Sequence, residues 1–270
     1  MIGFFLLLLV VGCVTGISTV IFGFGGGFVT VPAVFAAVQA TSGADAMHTA
    51  VATSTAIMVV NASSATIASA RLGLIRREYL WPIVAFIAVG AALGAFAADW
   101  VPEAVLHVLF VVYIAATIID SIVRKGFLSH SGGAATGGPL SRTTATLGGV
   151  GIGAIASFLG IGGSVITVPL MRRKGVAMAN ATALANPLSL PVSLVGTVVY
   201  ALAAPAATHP RQVGYVSLTA AAALLAGSVP TIALTKRVLA GSRIPDQVHA
   251  VVYLILLGII LLAMIASTVG

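Results

Sequence analysis

Long apolar stretches, separated by short polar segments, follow one another along the whole chain. The clearest of them cover residues 49–70, 81–98, 104–123, 215–234 and 248–269. Each has close to the length of about 20 residues that an α-helix needs to cross a bilayer. No segment between them is long enough to form a soluble domain. The pattern therefore predicts an all-α polytopic membrane protein.

The composition agrees with this prediction. Hydrophobic residues make up 59% of the chain and charged residues 7%, with a mean hydropathy of +1.15. A soluble domain carries roughly 25% charged residues, so this chain cannot cover its own surface against water. The net charge is +7, but the basic residues lie in short loops beside apolar stretches, where they orient a membrane protein rather than bind nucleic acid. The single cysteine, Cys13, excludes an intramolecular disulfide and a cysteine-rich metal site.

A glycine-rich motif interrupts the apolar pattern twice. Residues 23–32 read GFGGGFVTVP and residues 160–169 read GIGGSVITVP, with six of ten positions identical at an offset of 137 residues. Only eight residues separate Gly163 from the basic cluster that begins at Arg172. As a helix they would reach about 12 Å, too short to cross a hydrocarbon core of about 30 Å. The motif therefore predicts a chain that turns back near the bilayer midplane.

The distribution of basic residues predicts that the two halves are inverted relative to each other. Each half would hold a glycine-broken re-entrant element or short helix hairpin followed by three transmembrane helices, about eight to ten helical segments in all. This arrangement puts twelve of the thirteen Lys and Arg residues in the cytoplasm, with Arg211 outside. The predicted repeats are residues 1–125 and 142–270, joined by a cytoplasmic Gly/Ser-rich linker at 126–141.

The two motifs also predict a binding site between them. Non-helical backbone at membrane depth survives only where it is buried in protein or lines a cavity, and broken helices of inverted repeats form the binding sites of many secondary transporters. Two helix N-termini there would offer free N–H groups and positive dipole ends to an anion. Glycines in membrane helices also serve close packing, but their duplication in an inverted frame favours a site. The predicted substrate-binding residues are Gly25, Gly26, Gly27, Phe28, Thr53, Ser54, Asn61, Gly162, Gly163, Ser164, Thr182 and Asn186.

Charged side chains are absent from the predicted middle of every span. Asp120 falls near the cytoplasmic end of its helix, and His48 and His107 near outer ends. Transporters of protons or metal cations normally need carboxylates or histidines inside the membrane. The pattern therefore favours an oxyanion held by neutral donors, and we expect no metal site, no catalytic residues and no cofactor.

The motifs, together with AVATS at residues 50–54 and ANATA at 179–183, resemble the TauE/SafE sulfite exporter family of bacteria. The resemblance covers essentially the whole chain. It implies a multi-pass permease of the bacterial cytoplasmic (inner) membrane that moves small sulfur-containing anions such as sulfite or organosulfonates. Ser164 replaces the glycine found at residue 27, so the two half-sites are not chemically equal.

Alternative functions remain open on the sequence alone. The same scaffold could carry a carboxylate or a metal ion instead of a sulfur oxyanion. An intramembrane enzyme with Ser164 as nucleophile is a remote alternative, because it would require a histidine at the same depth. We therefore expect a transporter rather than an enzyme, with the lipid bilayer and a small anion as its partners. The exact substrate, the direction of transport, its coupling and any homo-oligomer are left open.

This topology predicts that Arg71, Arg124, Arg172 and Lys236 all face the cytoplasm, with both termini outside, because of the charge asymmetry. Single cysteines introduced there in a Cys13→Ser background should resist a membrane-impermeant thiol reagent added to intact cells. They should react once the membrane is opened. Labelling of positions 124 and 172 from opposite faces would show that the re-entrant arrangement is wrong.

Overall fold

The computed structural model describes residues 2–41, 45–71, 73, 75, 80–123, 143–173, 178–203, 205, 211–239 and 245–269. The α-helices of these residues are α1 (Ile2–Phe22), α2 (Gly27–Gln39), α3 (Ala46–Arg71), α4 (Ile83–Asp99), α5 (Glu103–Val123), α6 (Gly149–Leu159), α7 (Ser164–Arg173), α8 (Met178–Leu202), α9 (Leu218–Leu239) and α10 (Asp246–Val269). A π-helical segment, Thr144–Gly148, leads into α6. The predicted linker at 126–141 and the basic residues Arg76, Arg77, Arg124, Lys125, Arg142, Lys174 and Arg243 lie outside the described residues.

Six helices in the described part of the chain are long and apolar enough to cross a membrane. These candidate spans are Phe5–Phe22, Ala46–Arg71, Glu103–Val123, Asn180–Leu202, Leu218–Leu239 and Gln247–Ser267. Large apolar side chains are exposed along several of them, including Leu7 of α1 and Leu262 of α10, while polar side chains such as Asn61 are fully buried. Exposed apolar side chains and buried polar ones are the distribution expected of a protein that lies in lipid. The prediction of an all-α polytopic membrane protein is confirmed.

The first glycine-broken element contains one long helix. The sequence predicts that residues 1–40 enter and leave the membrane on one face. α1 has 21 residues, about 31 Å of helix, which is the length of a complete crossing. By contrast, α6 has 11 residues, or 16 with the five-residue π-helical segment that leads into it, and α7 has 10. The two broken elements therefore differ in length.

Two other predicted spans begin later than the apolar pattern suggests. α4 starts at Ile83, directly after Pro82, because proline restricts the residue before it and cannot donate a helical hydrogen bond. α9 starts at Leu218 because a β-hairpin precedes it. Its strands are β1 (Gln212–Val213) and β2 (Val216–Ser217), paired antiparallel. A Cβ atom on Gly214 at the turn would lie 2.2 Å from the carbonyl oxygen of Tyr200, so the hairpin rests directly on α8.

Close glycine contacts join α1 to α9. A Cβ atom on Gly12 of α1 would lie 2.3 Å from the carbonyl oxygen of Leu224. In the other direction, a Cβ atom on Gly227 of α9 would lie 2.2 Å from the carbonyl oxygen of Leu9. Small residues let membrane helices approach until their backbones touch, which replaces the hydrophobic effect that lipid cannot supply.

The same kind of contact joins α4 to α6. Cβ atoms on Gly94 and Gly153 would each lie 2.0 Å from a carbonyl oxygen of the facing helix, Ala154 for the first and Ile87 for the second. The two pairs are matched: the helix before each glycine break packs against the fourth helix of the other half. α3 and α8 pack against each other between these pairs, and most of the residues in both helices are buried.

The α4–α6 contact predicts a position-specific loss of stability. Gly153→Val should destabilise the protein by several kcal/mol, because its side chain would overlap backbone that cannot move away. Gly151→Val is the matched control two residues away, since nothing lies within 4 Å of a Cβ atom there. Thermal unfolding in detergent measures both, and equal melting temperatures for the two variants would contradict this packing.

Candidate functional site

Both glycine motifs interrupt the helices at equivalent places. Residues 23–26 separate α1 from α2, and residues 160–163 separate α6 from α7. Gly25 and its counterpart Gly162 have φ values of 61° and 74°, in the left-handed region that side chains other than glycine rarely adopt. The backbone at these positions therefore requires the glycines that the sequence repeats.

The two breaks lie against each other. A Cβ atom on Gly27 would lie 2.6 Å from the carbonyl oxygen of Gly160 and 3.0 Å from backbone atoms of Ile161. A Cβ atom on Gly162 would lie 3.3 Å from the carbonyl oxygen of Phe24. Backbone atoms of the two breaks therefore meet in the protein interior, and α2 and α7 both begin next to this contact.

Ser54 of α3 lies at this contact. Its Oγ is 2.7 Å from the carbonyl oxygen of Gly160 and 3.2 Å from that of Gly27. It also accepts a hydrogen bond of 2.9 Å from the hydroxyl of Thr30. A serine hydroxyl has one proton, and the shorter contact assigns it to Gly160. Ser54 was predicted to bind the substrate, but its hydroxyl proton is used in the hydrogen bond that joins the two motifs.

Thr53 is also engaged by the protein. Its hydroxyl accepts a hydrogen bond of 3.0 Å from the backbone N–H of Ser217 in β2. One turn away, the side-chain amide of Gln212 donates to the hydroxyl of Thr49 at 3.2 Å. The β-hairpin thus covers this part of α3, and Thr53 would meet a ligand only after the hairpin moves.

Asn61 of α3 faces the first motif with an unused donor. Its Oδ1 accepts a hydrogen bond of 2.8 Å from the hydroxyl of Ser228 on α9. Its Nδ2 has no hydrogen-bond partner among the described residues, and a Cβ atom on Gly26 would lie 2.9 Å from it. Thr15 Oγ1 of α1 is likewise buried without a partner in that part of the chain. These residues form a polar cluster around Gly26, which we call the Asn61 cluster.

Polar atoms beside the second motif also lack partners. Ser164 Oγ, Thr167 Oγ1 and Asn186 Oδ1 are buried, and the described residues offer none of them a hydrogen bond. Asn186 Nδ2 donates to the carbonyl oxygen of Thr182 at 3.5 Å. A Cβ atom on Gly23 would lie 2.6 Å from that same oxygen, so the first motif reaches α8 here.

Gly163 differs from the glycines of the first motif. An added Cβ atom would meet Ile152 and the carbonyl oxygen of Leu188 at 3.4 Å, which is ordinary van der Waals contact. At Gly26, by contrast, the φ of 95° and a distance of 2.4 Å to the methyl group of Thr15 exclude any side chain. The second motif therefore leaves more room at the start of its helix.

Phe28, also a predicted site residue, is fully buried. Its ring centroid lies 5.2 Å from that of Phe24 and 6.5 Å from that of Tyr113 on α5. The ring of Phe24 in turn lies 5.2 Å from that of Tyr253 on α10. These rings keep water away from one side of the first break, so Phe28 can offer a ligand only its backbone N–H.

The sequence prediction leaves out three polar residues near Gly26: Thr15 and Ser228 of the Asn61 cluster, and Thr19. Thr15 and Thr19 stand one helical turn apart just before the first motif, and a Cβ atom on Gly26 would lie 3.5 Å from Thr19 Oγ1. That spacing is a signal that could have identified them. Ser228 carries no comparable signal, because a single serine in an apolar span usually bonds only within its own helix.

The chemistry of these positions is neutral. The residues named at the two breaks include no Asp, Glu, Lys, Arg or His, and the described residues contain no group of three His, Cys, Asp or Glu side chains that could hold a metal ion. The first-turn N–H groups of α2 and α7 have no acceptor within their own helices, and each helix start carries a partial positive charge. The arrangement can therefore hold an anion through amide and hydroxyl donors.

Buried polar breaks inside a bundle of apolar helices define a polytopic membrane protein with a polar interior site, the construction typical of secondary transporters. Comparison with known proteins gives the family. The chain matches the family described as Sulfite exporter TauE/SafE over residues 8–265 and belongs to it, which confirms the resemblance inferred from the glycine motifs.

A curated relative comes from Haemophilus influenzae (strain ATCC 51907 / DSM 11121 / KW20 / Rd) and is named "Probable membrane transporter protein". It is 28% identical over 187 residues, which are 66% of this chain and 66% of the relative. The alignment thus spans about two thirds of that protein's length. No solved structure matches the chain.

The contact at Ser54 predicts a stability change. Ser54→Ala leaves the buried carbonyl oxygen of Gly160 without its donor, at a cost of about 1–3 kcal/mol. Ser64→Ala on the same helix is the control, because among the described residues the Ser64 hydroxyl donates only to the carbonyl oxygen of Val60, one turn away. Thermal unfolding of both variants in detergent checks this, and a Ser54→Ala protein as stable as the control would mean that the hydroxyl does not join the motifs.

Proposed function

We propose that this protein is a secondary transporter of small sulfur-containing anions, such as sulfite or organosulfonates, in the bacterial cytoplasmic membrane. The anion would bind between the two glycine breaks, near the middle of the bilayer. The observation that carries the proposal is the Asn61 cluster: a fully buried amide donor without a partner among the described residues lies beside the start of a helix.

The donors favour an anion over a cation. A buried amide N–H without an acceptor costs about 1–3 kcal/mol, and a bound oxyanion would remove that cost at Asn61. Hydrogen bonds to a charged group contribute about 1.5–3 kcal/mol each, net of the bonds to water that they replace, so several of them together favour binding of a small anion. The first-turn N–H groups of α2 add donors and a favourable dipole.

The number and direction of donors favour a sulfur oxyanion over a carboxylate. A sulfite or sulfonate group presents three oxygens around one atom, so it can accept hydrogen bonds from several sides at once. The potential donors come from both helix starts and from α3 and α7, through Asn61 and Ser164. A carboxylate has two oxygens in one plane and would leave more of these donors unused. The family description, Sulfite exporter TauE/SafE, points to the same chemical class.

We further propose that the halves, residues 1–125 and 142–270, are inverted repeats that move against each other. The matched pairing of α1 with α9 and of α4 with α6 supports this, because exchange of the two halves leaves it unchanged. Transporters of this construction alternate access by rocking one repeat against the other around a central site. The contact that Ser54 makes with both motifs is where the halves would stay joined.

Transport by purified protein in liposomes tests this function. Wild-type protein should carry sulfite and ethanesulfonate, and acetate much less. Asn61→Leu should weaken sulfite binding roughly tenfold or more, because one charge-assisted hydrogen bond is lost. Calorimetry on the purified protein measures the affinity.

Asn180→Leu is the matched control, since Asn180 of α8 is exposed. Unchanged affinity is expected for it. Preference for acetate over both sulfur anions would overturn the substrate class. If Asn61→Leu binds sulfite with normal affinity, the Asn61 cluster is not part of the binding site.

A further inference from the structure

One side chain lies against both glycine breaks. Met58 of α3 is fully buried. A Cβ atom on Gly25 of the first break would lie 2.6 Å from Met58 Cγ and 3.1 Å from its Sδ. A Cβ atom on Gly162 of the second break would lie 2.6 Å from the same Sδ. The thioether of Met58 therefore occupies space between the two breaks, where the proposed anion would bind.

Met58 shares its face of α3 with two residues that also contact the breaks. Ser54 stands four residues before it and Asn61 three residues after it, and side chains at these spacings lie on one face of a helix. Ser54 contacts backbone of both breaks, and Asn61 lies beside Gly26. This face of α3 thus presents a hydroxyl, a thioether and an amide in succession along the breaks.

The Met58 side chain is the part of this contact that can move. Gly25 and Gly162 have no side chains, and the Ser54 hydroxyl is held by hydrogen bonds. A methionine side chain has three rotatable bonds and adapts to irregular spaces. A ligand that needs more room between the breaks would therefore gain it by displacing the thioether.

The second half places a different kind of residue at the equivalent position. The matching segments AVATS at 50–54 and ANATA at 179–183 make Pro187 of α8 the counterpart of Met58. A proline ring is short and closed onto its own backbone, so it cannot rotate aside in the same way. The movable group between the breaks therefore comes from the first half.

The residues packed with Met58 are apolar. It belongs to a buried cluster that includes Ile87 of α4, Ile152 of α6 and Leu188 of α8. A thioether sulfur donates no hydrogen bond and accepts only weakly, so it offers little to the oxygens of an anion. An alkyl group gains from apolar contact. Met58 therefore suits the carbon substituent of a ligand, while the amide and hydroxyl donors at the breaks suit its oxygens.

We propose that Met58 determines which sulfur anions the site accepts, because it contacts the carbon substituent of an organosulfonate and limits its size. Sulfite has no such substituent and needs the least of the space that Met58 occupies. A sulfonate with a longer alkyl chain requires the side chain to rotate further aside, at a cost that grows with chain length. This inference rests on the proposed function.

The affinities for a series of sulfonates test this proposal. Methanesulfonate, ethanesulfonate and butanesulfonate are the probes, because they share one headgroup and one charge and differ only in the alkyl chain. Calorimetry on the purified protein should show wild-type affinity falling along the series. Met58→Ala should raise the affinity for butanesulfonate relative to methanesulfonate roughly tenfold or more, because a single methylene group in an apolar pocket already changes discrimination by about that factor.

Met47→Ala is the matched control. Met47 is also fully buried on α3 and stands eleven residues before Met58, about 16 Å away along the helix axis. Both substitutions empty a buried site and should lower the melting temperature, but only Met58→Ala should change the ratio of the sulfonate affinities. Met58→Leu nearly conserves the volume of the side chain and should keep the wild-type ratio.

Met58→Val removes part of the same side chain and decides the question if Met58→Ala does not fold. Its affinity ratio should move in the same direction by a smaller factor. An unchanged ratio in a folded variant at residue 58, an equal shift in Met47→Ala, or equal wild-type affinity for all three sulfonates would each overturn the role of Met58 and leave the anion site intact. If wild type binds neither sulfite nor any sulfonate, the anion site itself is rejected, and this inference with it.

Discussion

Every backbone amide and carbonyl that lies away from water in this protein needs a partner, and the two glycine breaks are where that need is hardest to meet. Within a helix, each carbonyl is bonded by the residue four positions ahead. At residues 23–26 and 160–163 that pattern stops. Ser54 provides one of the missing partners, because its hydroxyl donates to the carbonyl oxygen of Gly160 and accepts a hydrogen bond from the hydroxyl of Thr30. The remaining first-turn N–H groups of α2 and α7 are the donors that the proposed anion would bind.

Close packing of small residues supports the breaks from outside. The α1–α9 and α4–α6 pairs approach until backbone meets backbone, at glycines such as Gly12 and Gly153. Lipid tails are as apolar as the side chains they replace, so these helices associate through contact and shape rather than through the hydrophobic effect. The pairs connect opposite halves of the chain, which keeps α3 and α8 enclosed with their hydroxyl and amide groups inside.

The two halves of the site are chemically unequal, and the inequality has a local cause. Thr30 donates to Ser54 in the first half. Thr167 is the equivalent residue of the second half. Ala183 stands there at the position that corresponds to Ser54, and the Thr167 hydroxyl has no partner among the described residues. Ser164 adds a second buried hydroxyl where the first motif has Gly27. Among the described residues, Ser164, Thr167 and Asn186 each keep a buried side-chain atom without a partner near the second break, and Thr15 and Asn61 do so near the first.

The sequence by itself determined the membrane class, the position of both breaks and the family, because apolar run length and repeated glycines are local properties of the chain. It also identified Asn61, Ser164 and Asn186 as polar residues in apolar spans. Only the tertiary structure decided that Gly27 touches Gly160, that Thr53 is covered by the β-hairpin, and that Ser228 and Thr15 join Asn61 around Gly26. Those contacts join residues far apart in sequence, and the interhelical geometry that creates them is set by packing across the whole bundle rather than by any local pattern.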